Sequence, residues 1–306
     1  MPGNIVNPLC GERNEGIELN EKLTYFKNGD YNLFGVLHKP ETFISTLRPK
    51  LFKEKGIGIV FCHPFAEEKL ISHRGMVNLA RRLTKEGAYS FRFDEMGHGD
   101  SDGNFEDSTV ETRVSDIRCA VSHLREQTGV ERVGLLGVRF GATLAVLASK
   151  TVSEIDCLIL ISPIVDGKSY IEQCLRSNLA TQMATYRKII KEREQLIQEL
   201  TAGEMVNIDG YLLTKTLYEQ MQDINLLSLS CILSKDVAVI QVSKNKARVI
   251  DEDLNRLSIK FKGENNRTDF LMVLEDPFWK DAKVYKSQVK DLQETIVNWL
   301  HKVYPS

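Results

Sequence analysis

The chain has 306 residues, of which 42% are hydrophobic and 27% charged. This length and composition fit one folded domain of roughly 200–250 residues with an insertion. Its 40 Lys and Arg residues against 42 Asp and Glu residues give a net charge of -2. That balance argues against a nucleic-acid-binding protein and offers no electrostatic case for a membrane partner. We therefore expect neither partner, and we leave a homo-oligomer open.

The N-terminus and the cysteines indicate a cytoplasmic protein. Residues 1–20 are polar and lack the basic start and apolar stretch of a signal peptide. No apolar run approaches the roughly 18 residues of a membrane-spanning helix. None of the six cysteines forms a C-x-x-C pair, and most lie in apolar segments. This pattern predicts buried free thiols in a reducing compartment, with no metal site and no cofactor.

Apolar runs alternate with helical patterns along most of the chain, which is typical of βαβ units and a mostly parallel sheet. The predicted strands are residues 23–26, 33–38, 56–62, 89–94, 131–136, 157–162, 237–242 and 270–274. The predicted helices are residues 72–86, 109–127, 142–151, 249–257 and 284–303. Ser72 and Thr109 are the predicted N-caps of the first two helices.

The pattern changes between residues 166 and 226, where no buried strand run is found. Apolar residues instead recur there at helical spacing, namely Met183, Tyr186, Ile190, Ile197 and Leu200. We predict an amphipathic helical cap over residues 166–226 that covers part of the core. Residues 1–165 and 227–306 then form the core domain.

The segment from Arg92 to Gly103, R-F-D-E-M-G-H-G-D-S-D-G, follows a predicted strand. Gly97 and Gly99 allow a tight loop over the end of the sheet, and we expect His98 to make local hydrogen bonds there. The segment resembles a structural turn of the α/β-hydrolases, R-x-D-x-x-G-x-G-x-S-x-G. This resemblance implies an α/β-hydrolase fold.

A second motif, Gly137-Val138-Arg139-Phe140-Gly141, lies at a predicted strand-to-helix junction. Glycines two residues either side of a central residue are typical of the nucleophile elbow, G-x-S-x-G. Here the central residue is Arg139. Arginine does not lose its proton at a usable pH, so it cannot serve as nucleophile or general base.

The other members of a Ser-His-Asp triad are also missing from their expected places. Residues 273–279, after the last strand, contain no histidine, and residues 243–246 contain no carboxylate. Asp166 could replace the acid by position, but it would have no histidine to orient. The sequence therefore excludes a Ser-His-Asp mechanism at these positions.

A third motif, His63-Pro64-Phe65-Ala66-Glu67-Glu68, follows the predicted strand 56–62. Together with Arg74, Arg139, Gly210-Tyr211 and Pro277-Phe278-Trp279, it resembles the exosortase A system-associated hydrolases over about residues 20–303. This resemblance implies a hydrolase fold with a poorly defined activity. It also implies a context of gene clusters for exopolysaccharide production and protein sorting.

Two interpretations of Arg139 stay open. The start of a helix favours anions, and a guanidinium is a forked donor for carboxylate or phosphate, so Arg139 could hold an anionic ligand under the cap. Alternatively, Arg139 pairs with Glu67, Glu68 or Asp276 and fills the site. The two can coexist, and adjacent Glu67 and Glu68 are expected to face different ways.

We predict a noncanonical α/β-hydrolase-family protein that binds a small anionic or acyl-type ligand at the former active site. In any non-triad reaction, His63, Glu67 or Asp276 would move protons while Arg139 holds negative charge on an oxygen. The predicted ligand-binding residues are apolar, namely Phe65, Val138, Phe140, Phe278 and Trp279. The alternative is a catalytically inactive scaffold protein of a biosynthetic gene cluster.

Overall fold

A computed structural model describes residues 20–40, 56–152, 155–229, 235–245, 247, 249–264, 266–280 and 289–304. Its strands are β1 (Glu21–Asn28), β2 (Tyr31–His38), β3 (Ile57–Cys62), β4 (Tyr89–Phe93), β5 (Arg132–Val138), β6 (Ile155–Ile161), β7 (Val206–Ile208), β8 (Tyr211–Leu213), β9 (Asp236–Ser243) and β10 (Thr268–Leu274). Its α-helices are α1 (Glu67–Lys85), α2 (Val110–Thr128), α3 (Phe140–Thr151), α4 (Gly167–Tyr186), α5 (Arg193–Ala202), α6 (Lys215–Gln222), α7 (Glu252–Phe261) and α8 (Lys290–Val303). A 3-10 turn covers Phe105–Asp107.

Within the described residues, eight strands form one sheet in the order β1-β2-β4-β3-β5-β6-β9-β10. The pairs β1–β2 and β2–β4 are antiparallel, and all other neighbours are parallel. The predicted mostly parallel sheet flanked by helices is confirmed. The carboxyl ends of the parallel strands therefore meet at one edge of the sheet, which is where ligands bind in open α/β sheets.

The two faces of the sheet form two hydrophobic cores. Side chains alternate along β3, so that Ile59 packs on one face and Val60 on the other. One core is covered by α1 and α8, and the second by α2, α3, α7 and the segment between β6 and β9. Every residue of β3 is buried, as expected of a central parallel strand.

The segment between β6 and β9 contains α4, α5, the hairpin β7–β8 and α6. An isolated bridge between Asp166 and Asn225 closes it, next to a hydrogen bond from the Leu226 amide to the Val165 carbonyl. We call this segment the cap. Its hairpin, with strands of three residues each, was not part of the prediction, because so short a strand has no detectable alternation.

Several local predictions are corrected by the structure. Helix α1 begins at Glu67 rather than at residue 72, and Ser72 lies inside the helix, where its hydroxyl donates to the Lys69 carbonyl at 3.2 Å. The prediction failed because Ala66, with a positive φ, turns the strand directly into the helix. Thr109 does cap α2, accepting from the Thr112 amide at 3.1 Å.

The buried face predicted for the cap helices is right for Leu200, which is buried, and for Ile197, which packs against the core, but wrong for the other three residues. Met183, Tyr186 and Ile190 are exposed by 48%, 58% and 52%. Helix α4 ends at Tyr186, since Arg187 adopts a left-handed conformation that breaks the helical spacing. The start predicted for the last helix, residues 284–288, lies outside the described residues. None of the described helices is apolar over enough length to pass through a bilayer.

Candidate ligand-binding site around Arg139

Two neighbouring parallel strands, β3 and β5, end in turns of the same unusual backbone conformation. Ala66 has φ 49° and ψ -127°, and Arg139 has φ 55° and ψ -123°. Each turn leads directly into a helix, α1 or α3. A positive φ costs a non-glycine residue on the order of 1–3 kcal/mol, so both turns require support from their surroundings.

Two glycines allow this support at Arg139. A Cβ on Gly141 would lie 2.3 Å from the carbonyl oxygens of Cys62 and His63, and one on Gly137 would lie 2.4 Å from the Ala142 Cα. The first turn of α3 therefore packs directly on the end of β3. The close contact brings the segment from His63 to Glu68 beside Arg139.

Arg139 is held by one carboxylate, one carbonyl and two aromatic rings. Its Nε donates to Glu68 Oε1 at 3.3 Å, and its Nη1 donates to the Ser162 carbonyl at 3.4 Å. Its Cζ lies 5.6 Å from the centre of the Tyr170 ring and 5.7 Å from that of Trp279, at cation–π distance. Among the described residues, Nη2 has no partner. We call Glu68, Arg139, Tyr170 and Trp279 the Arg139 cluster.

The charge of Glu68 explains how an arginine is tolerated at this position. The start of α3 carries a partial positive charge, which disfavours a cation there. Glu68 lies in the first turn of α1, where a carboxylate is favoured, and it faces Arg139 from the neighbouring helix. Its second oxygen, Oε2, accepts a hydrogen bond from the Tyr170 hydroxyl at 2.9 Å. Burial, with a further effect from Glu68, raises the pKa of Tyr170 well above its usual value, so its hydroxyl stays a donor.

A cavity of about 420 Å³ lies beside the cluster. Its wall carries cationic groups from Arg139 and Lys280. Its other walls are mostly polar and come from the ends of β6 and β9 and the starts of α4 and α7: Ser162, Asp166, Ser169, Gln173, Gln241, Ser243, Asp251 and Asp253. The site is thus of mixed charge rather than strongly cationic.

Trp279 lines this cavity with a side chain that is 2% exposed. Its indole N–H has no acceptor in the part of the chain that the structure describes. A buried donor without an acceptor costs free energy, because it has lost its hydrogen bond to water. Trp279 therefore leaves a buried donor unpaired next to the cavity, while the free Nη2 belongs to the guanidinium that borders the cavity.

None of the three residues predicted to move protons lines the Arg139 cavity. His63 is 3% exposed, and burial together with nearby Lys69 lowers its pKa well below the usual value. Glu67 faces a second cavity, of about 330 Å³, where burial and Asp209 raise its pKa. Asp276 is exposed to solvent. Glu67 and Glu68 do face different ways, and Glu68 is the one that meets Arg139.

Of the five predicted ligand-binding residues, Trp279 is the one that lies in the cavity wall. Val138 and Phe278 belong to the core under α1 and α8. Phe65 and Phe140 belong to the other core, where the Phe140 ring stacks on Tyr170 at 5.9 Å and 13°. Three of these side chains contact rings of the cluster: Phe65 and Phe140 contact Tyr170, and Phe278 contacts Trp279.

The sequence did not indicate Ser162, Gln241 or Tyr170 as site residues. Tyr170 lies in the first turn of a cap helix, where no motif distinguishes it from a core tyrosine. Ser162 has φ 43° at the end of β6 and presents its carbonyl to Arg139, which no side-chain pattern encodes. Glu68 was named only as one of three alternative partners of Arg139.

Within the described ranges, no three His, Cys, Asp or Glu side chains converge as metal ligands would. Cys62, Cys119, Cys157 and Cys174 are free thiols. Cys10 and Cys231 lie outside the described residues.

The family model for serine aminopeptidase S33 matches residues 57–225, which is more than half of the chain. The chain therefore belongs to this family of α/β-hydrolases, and the predicted fold class is confirmed. The matched region includes both the motif around Arg139 and most of the cap. No curated protein matches the chain in sequence.

Solved structures with this fold are similar over almost the whole chain. Est1E from Butyrivibrio proteoclasticus, solved with ferulic acid bound, has a TM-score of 0.63 at 18% identity, covering 91% of this chain and 98% of that one. The Pyrococcus furiosus esterase Pf2001 has a TM-score of 0.59 at 16% identity, covering 100% of this chain and 97% of that one. An α/β serine hydrolase without a lid from Xanthomonas campestris has a TM-score of 0.54 at 14% identity, covering 94% and 96%. At these identities the likeness shows the fold.

Proposed function

We propose that this protein binds a small molecule with a carboxylate or acyl oxygen in the Arg139 cavity, and that it carries out no Ser-His-Asp chemistry. The observation that carries the proposal is the guanidinium of Arg139 at a strained strand-to-helix turn, where a serine hydrolase holds its nucleophile. This guanidinium borders a cavity and keeps Nη2 free.

The guanidinium of Arg139 favours an oxygen ligand. Its Nη2 lacks an acceptor among the described residues, and the residue borders the cavity. A carboxylate offers two oxygens, and a guanidinium binds it in a forked geometry. The rings of Tyr170 and Trp279 beside the guanidinium add flat apolar surfaces that suit an aromatic or acyl group.

The charges around the cavity restrict the class of ligand further. Glu68 already neutralises Arg139, and three carboxylates, from Asp166, Asp251 and Asp253, lie in the cavity wall. Lys280 is the remaining cation of the wall, and its single positive charge does not balance a dianionic phosphate beside these carboxylates. We therefore favour a monocarboxylate or a neutral acyl compound over a phosphate.

The chemistry available to such a ligand is limited. Arg139 can stabilise negative charge on an oxygen, and Glu68 is the carboxylate beside it. The positions of His63, Glu67 and Asp276 do not support the proton-moving roles predicted for them. Any reaction would depend on the Arg139 cluster alone.

We also propose that the chain is related to the exosortase A system-associated hydrolases. Three of the segments that carry that resemblance contribute Glu68, Arg139 and Trp279, which lie together in the cluster. The second candidate function is an inactive scaffold of an exopolysaccharide-type gene cluster. The Glu68–Arg139 pair favours it, because a paired arginine can simply fill the site.

Titration calorimetry with single carboxylates tests the binding proposal. Ferulate is a suitable first probe, because Est1E holds ferulic acid, with benzoate and inorganic phosphate alongside. We expect saturable binding of a carboxylate but not of phosphate, and its loss in Arg139→Gln. Arg193→Gln, at a partly exposed cap position, is the matched control and should bind as the wild type does. Equal binding by wild type and Arg139→Gln would favour the scaffold.

A fluorophosphonate probe tests the absence of triad chemistry separately. This reagent labels serines that a neighbouring base activates. We expect no stoichiometric labelling of the native protein and no turnover of p-nitrophenyl acetate above background. Stoichiometric labelling of any serine would contradict the proposal.

A further inference from the structure

The end of helix α4 and its connection to α5 expose several large apolar side chains. Met183, Tyr186, Ile189 and Ile190 are exposed by 48%, 58%, 45% and 52%. We call residues 183–191 the cap tip. Several large apolar side chains exposed within one short segment mark a candidate interaction site.

The cap tip is held in a defined conformation. The side chain of Gln182 is buried, and its Oε1 accepts hydrogen bonds from the amides of Ile190 at 2.8 Å and Lys191 at 3.0 Å. Its Nε2 donates to the Lys191 carbonyl at 3.1 Å. A buried amide thus fixes the backbone of the cap tip, while the side chains of Ile189 and Ile190 are exposed to solvent. This arrangement preorganises a surface whose apolar side chains are about half exposed to solvent.

The charges of the cap tip are all of one sign. Residues 186–191 read Y-R-K-I-I-K and contain no acidic residue. Arg187 and Lys188 have no ionic or hydrogen-bonding side-chain partner among the described residues, whereas Lys191 pairs with Glu199 at 2.7 Å. Aliphatic and aromatic side chains interleaved with unpaired cations are typical of segments that lie in the interface of an anionic membrane.

We propose that the cap tip binds the surface of an anionic lipid bilayer. Ile189, Ile190 and Tyr186 enter the headgroup region, and Arg187 and Lys188 contact lipid phosphates. A bilayer fits better than a protein partner, because a stable protein interface buries roughly 800 Å² on each side. Four half-exposed side chains offer considerably less. The expectation of no membrane partner rested on the net charge of the whole chain, which hides this local excess of cations.

Cosedimentation with extruded vesicles tests this proposal on the full chain. Vesicles of phosphatidylcholine alone are compared with vesicles of phosphatidylcholine and phosphatidylglycerol at 3:1. We expect binding to the anionic vesicles only, weakening as salt is raised. Each basic side chain near an anionic surface contributes about fivefold in affinity, so Arg187→Glu with Lys188→Glu should lower binding more than tenfold.

Two further variants separate the apolar contribution of the cap tip to vesicle binding from nonspecific hydrophobic adsorption. Ile189→Ser with Ile190→Ser should lower binding at least tenfold, while Ile259→Ser, at a 65% exposed position on α7, should leave it unchanged. Unchanged thermal unfolding would show that the variants are folded. No binding to anionic vesicles at low salt, or an equal loss in Ile259→Ser, would overturn the proposal. So would self-association that Ile189→Ser with Ile190→Ser abolishes without vesicle binding by the wild type, since the cap tip would then join two copies of the chain.

Discussion

Two arginine–glutamate pairs in this protein have similar surroundings but different access to solvent. Arg113 pairs with Glu95, and its Cζ lies 5.4 Å from the ring centres of both Phe65 and Phe105. Arg139 pairs with Glu68 and lies at a similar distance from the rings of Tyr170 and Trp279. The Arg113 and Glu95 side chains are each 1% exposed, whereas those of Arg139 and Glu68 are 16% and 22% exposed.

The difference separates a structural pair from a binding site. Arg113 is not in the wall of any described cavity, and its Nη2 donates to the Ser108 hydroxyl at 3.1 Å. Each arginine keeps one nitrogen without a partner among the described residues, Nε in Arg113 and Nη2 in Arg139, but Arg139 is the one that borders a cavity, of about 420 Å³. The same combination of glutamate and two aromatic rings stabilises a core in one place and presents a guanidinium to a ligand in the other.

The largest effect is expected on removing the buried arginine. Arg113→Met leaves Glu95 buried without its counter-charge, which should lower the free energy of unfolding by on the order of 3–5 kcal/mol. Urea denaturation followed by circular dichroism measures this loss. The double variant Arg113→Met with Glu95→Leu should recover most of it, because no buried charge then remains. A loss below about 1 kcal/mol in the single variant would contradict the structural role.

The buried pair also has a neighbour that makes stability depend on pH. Burial raises the pKa of Asp116 from 3.8 to about 6, against the hydrogen bonds it accepts from the Met96 amide and Asn28. The folded state then holds more protons than the unfolded state between about pH 4 and pH 6, so this group lowers the free energy of unfolding as pH rises through that window. The contribution is on the order of 2–3 kcal/mol.

Asp116→Asn should remove this contribution. The measurement is the free energy of unfolding of the wild type and the variant at pH 4 and pH 7. The variant should gain relative to the wild type as the pH rises. A difference between the two proteins that stays constant with pH would show that Asp116 titrates normally.

A smaller stability effect is expected at the exposed pair. Arg139→Gln should change the free energy of unfolding by about 1 kcal/mol, because solvent screens the pair and Glu68 keeps its hydrogen bond from Tyr170. Its loss of ligand binding should be far larger than its loss of stability. A destabilisation as large as that of Arg113→Met would mean that Arg139 is also a structural residue.

The smallest effect on the free energy of unfolding is expected on removing the hydrogen bond between Tyr170 of the cap and Glu68 of the core. Tyr170→Phe removes the hydrogen bond to Glu68 and keeps the ring that packs on Phe140, so the cost should be about 0.5–1 kcal/mol. Tyr218→Phe, on cap helix α6, is the matched control, since its hydroxyl contacts Gln222 within the same helix. Greater protease sensitivity of the cap in Tyr170→Phe than in Tyr218→Phe would support a link through Glu68. Equal protease sensitivity in the two variants would contradict a link between cap and core through Glu68.

The sequence predicted the sheet better than the cap, for physical reasons. Buried parallel strands such as β3 are continuous apolar runs, and Thr109 marks a helix start with a capping side chain. The end of α4 depends instead on the left-handed conformation of Arg187, which no motif signals. Apolar residues at helical spacing therefore predicted a buried face where the cap tip is exposed.

The candidate site was predictable in its centre but not in its surroundings. The glycines around Arg139 indicated a strained turn, and Glu68 and Trp279 belonged to motifs already noted. Tyr170, Ser162 and Gln241 come from separate segments that only the folded chain brings together. Which of two adjacent glutamates faces Arg139 depends on the start of α1, which was predicted five residues too late.

The comparison between the two arginines is tested most directly by nuclear magnetic resonance of arginine side chains. The Nε–H signals of Arg113 and Arg139, assigned from Arg113→Met and Arg139→Gln, can be followed in one sample during titration with ferulate. We predict that the Arg139 signal shifts and saturates while the Arg113 signal does not move. If neither signal moves at saturating ferulate, or if both move together, Arg139 is not the binding residue and the distinction between the two pairs fails.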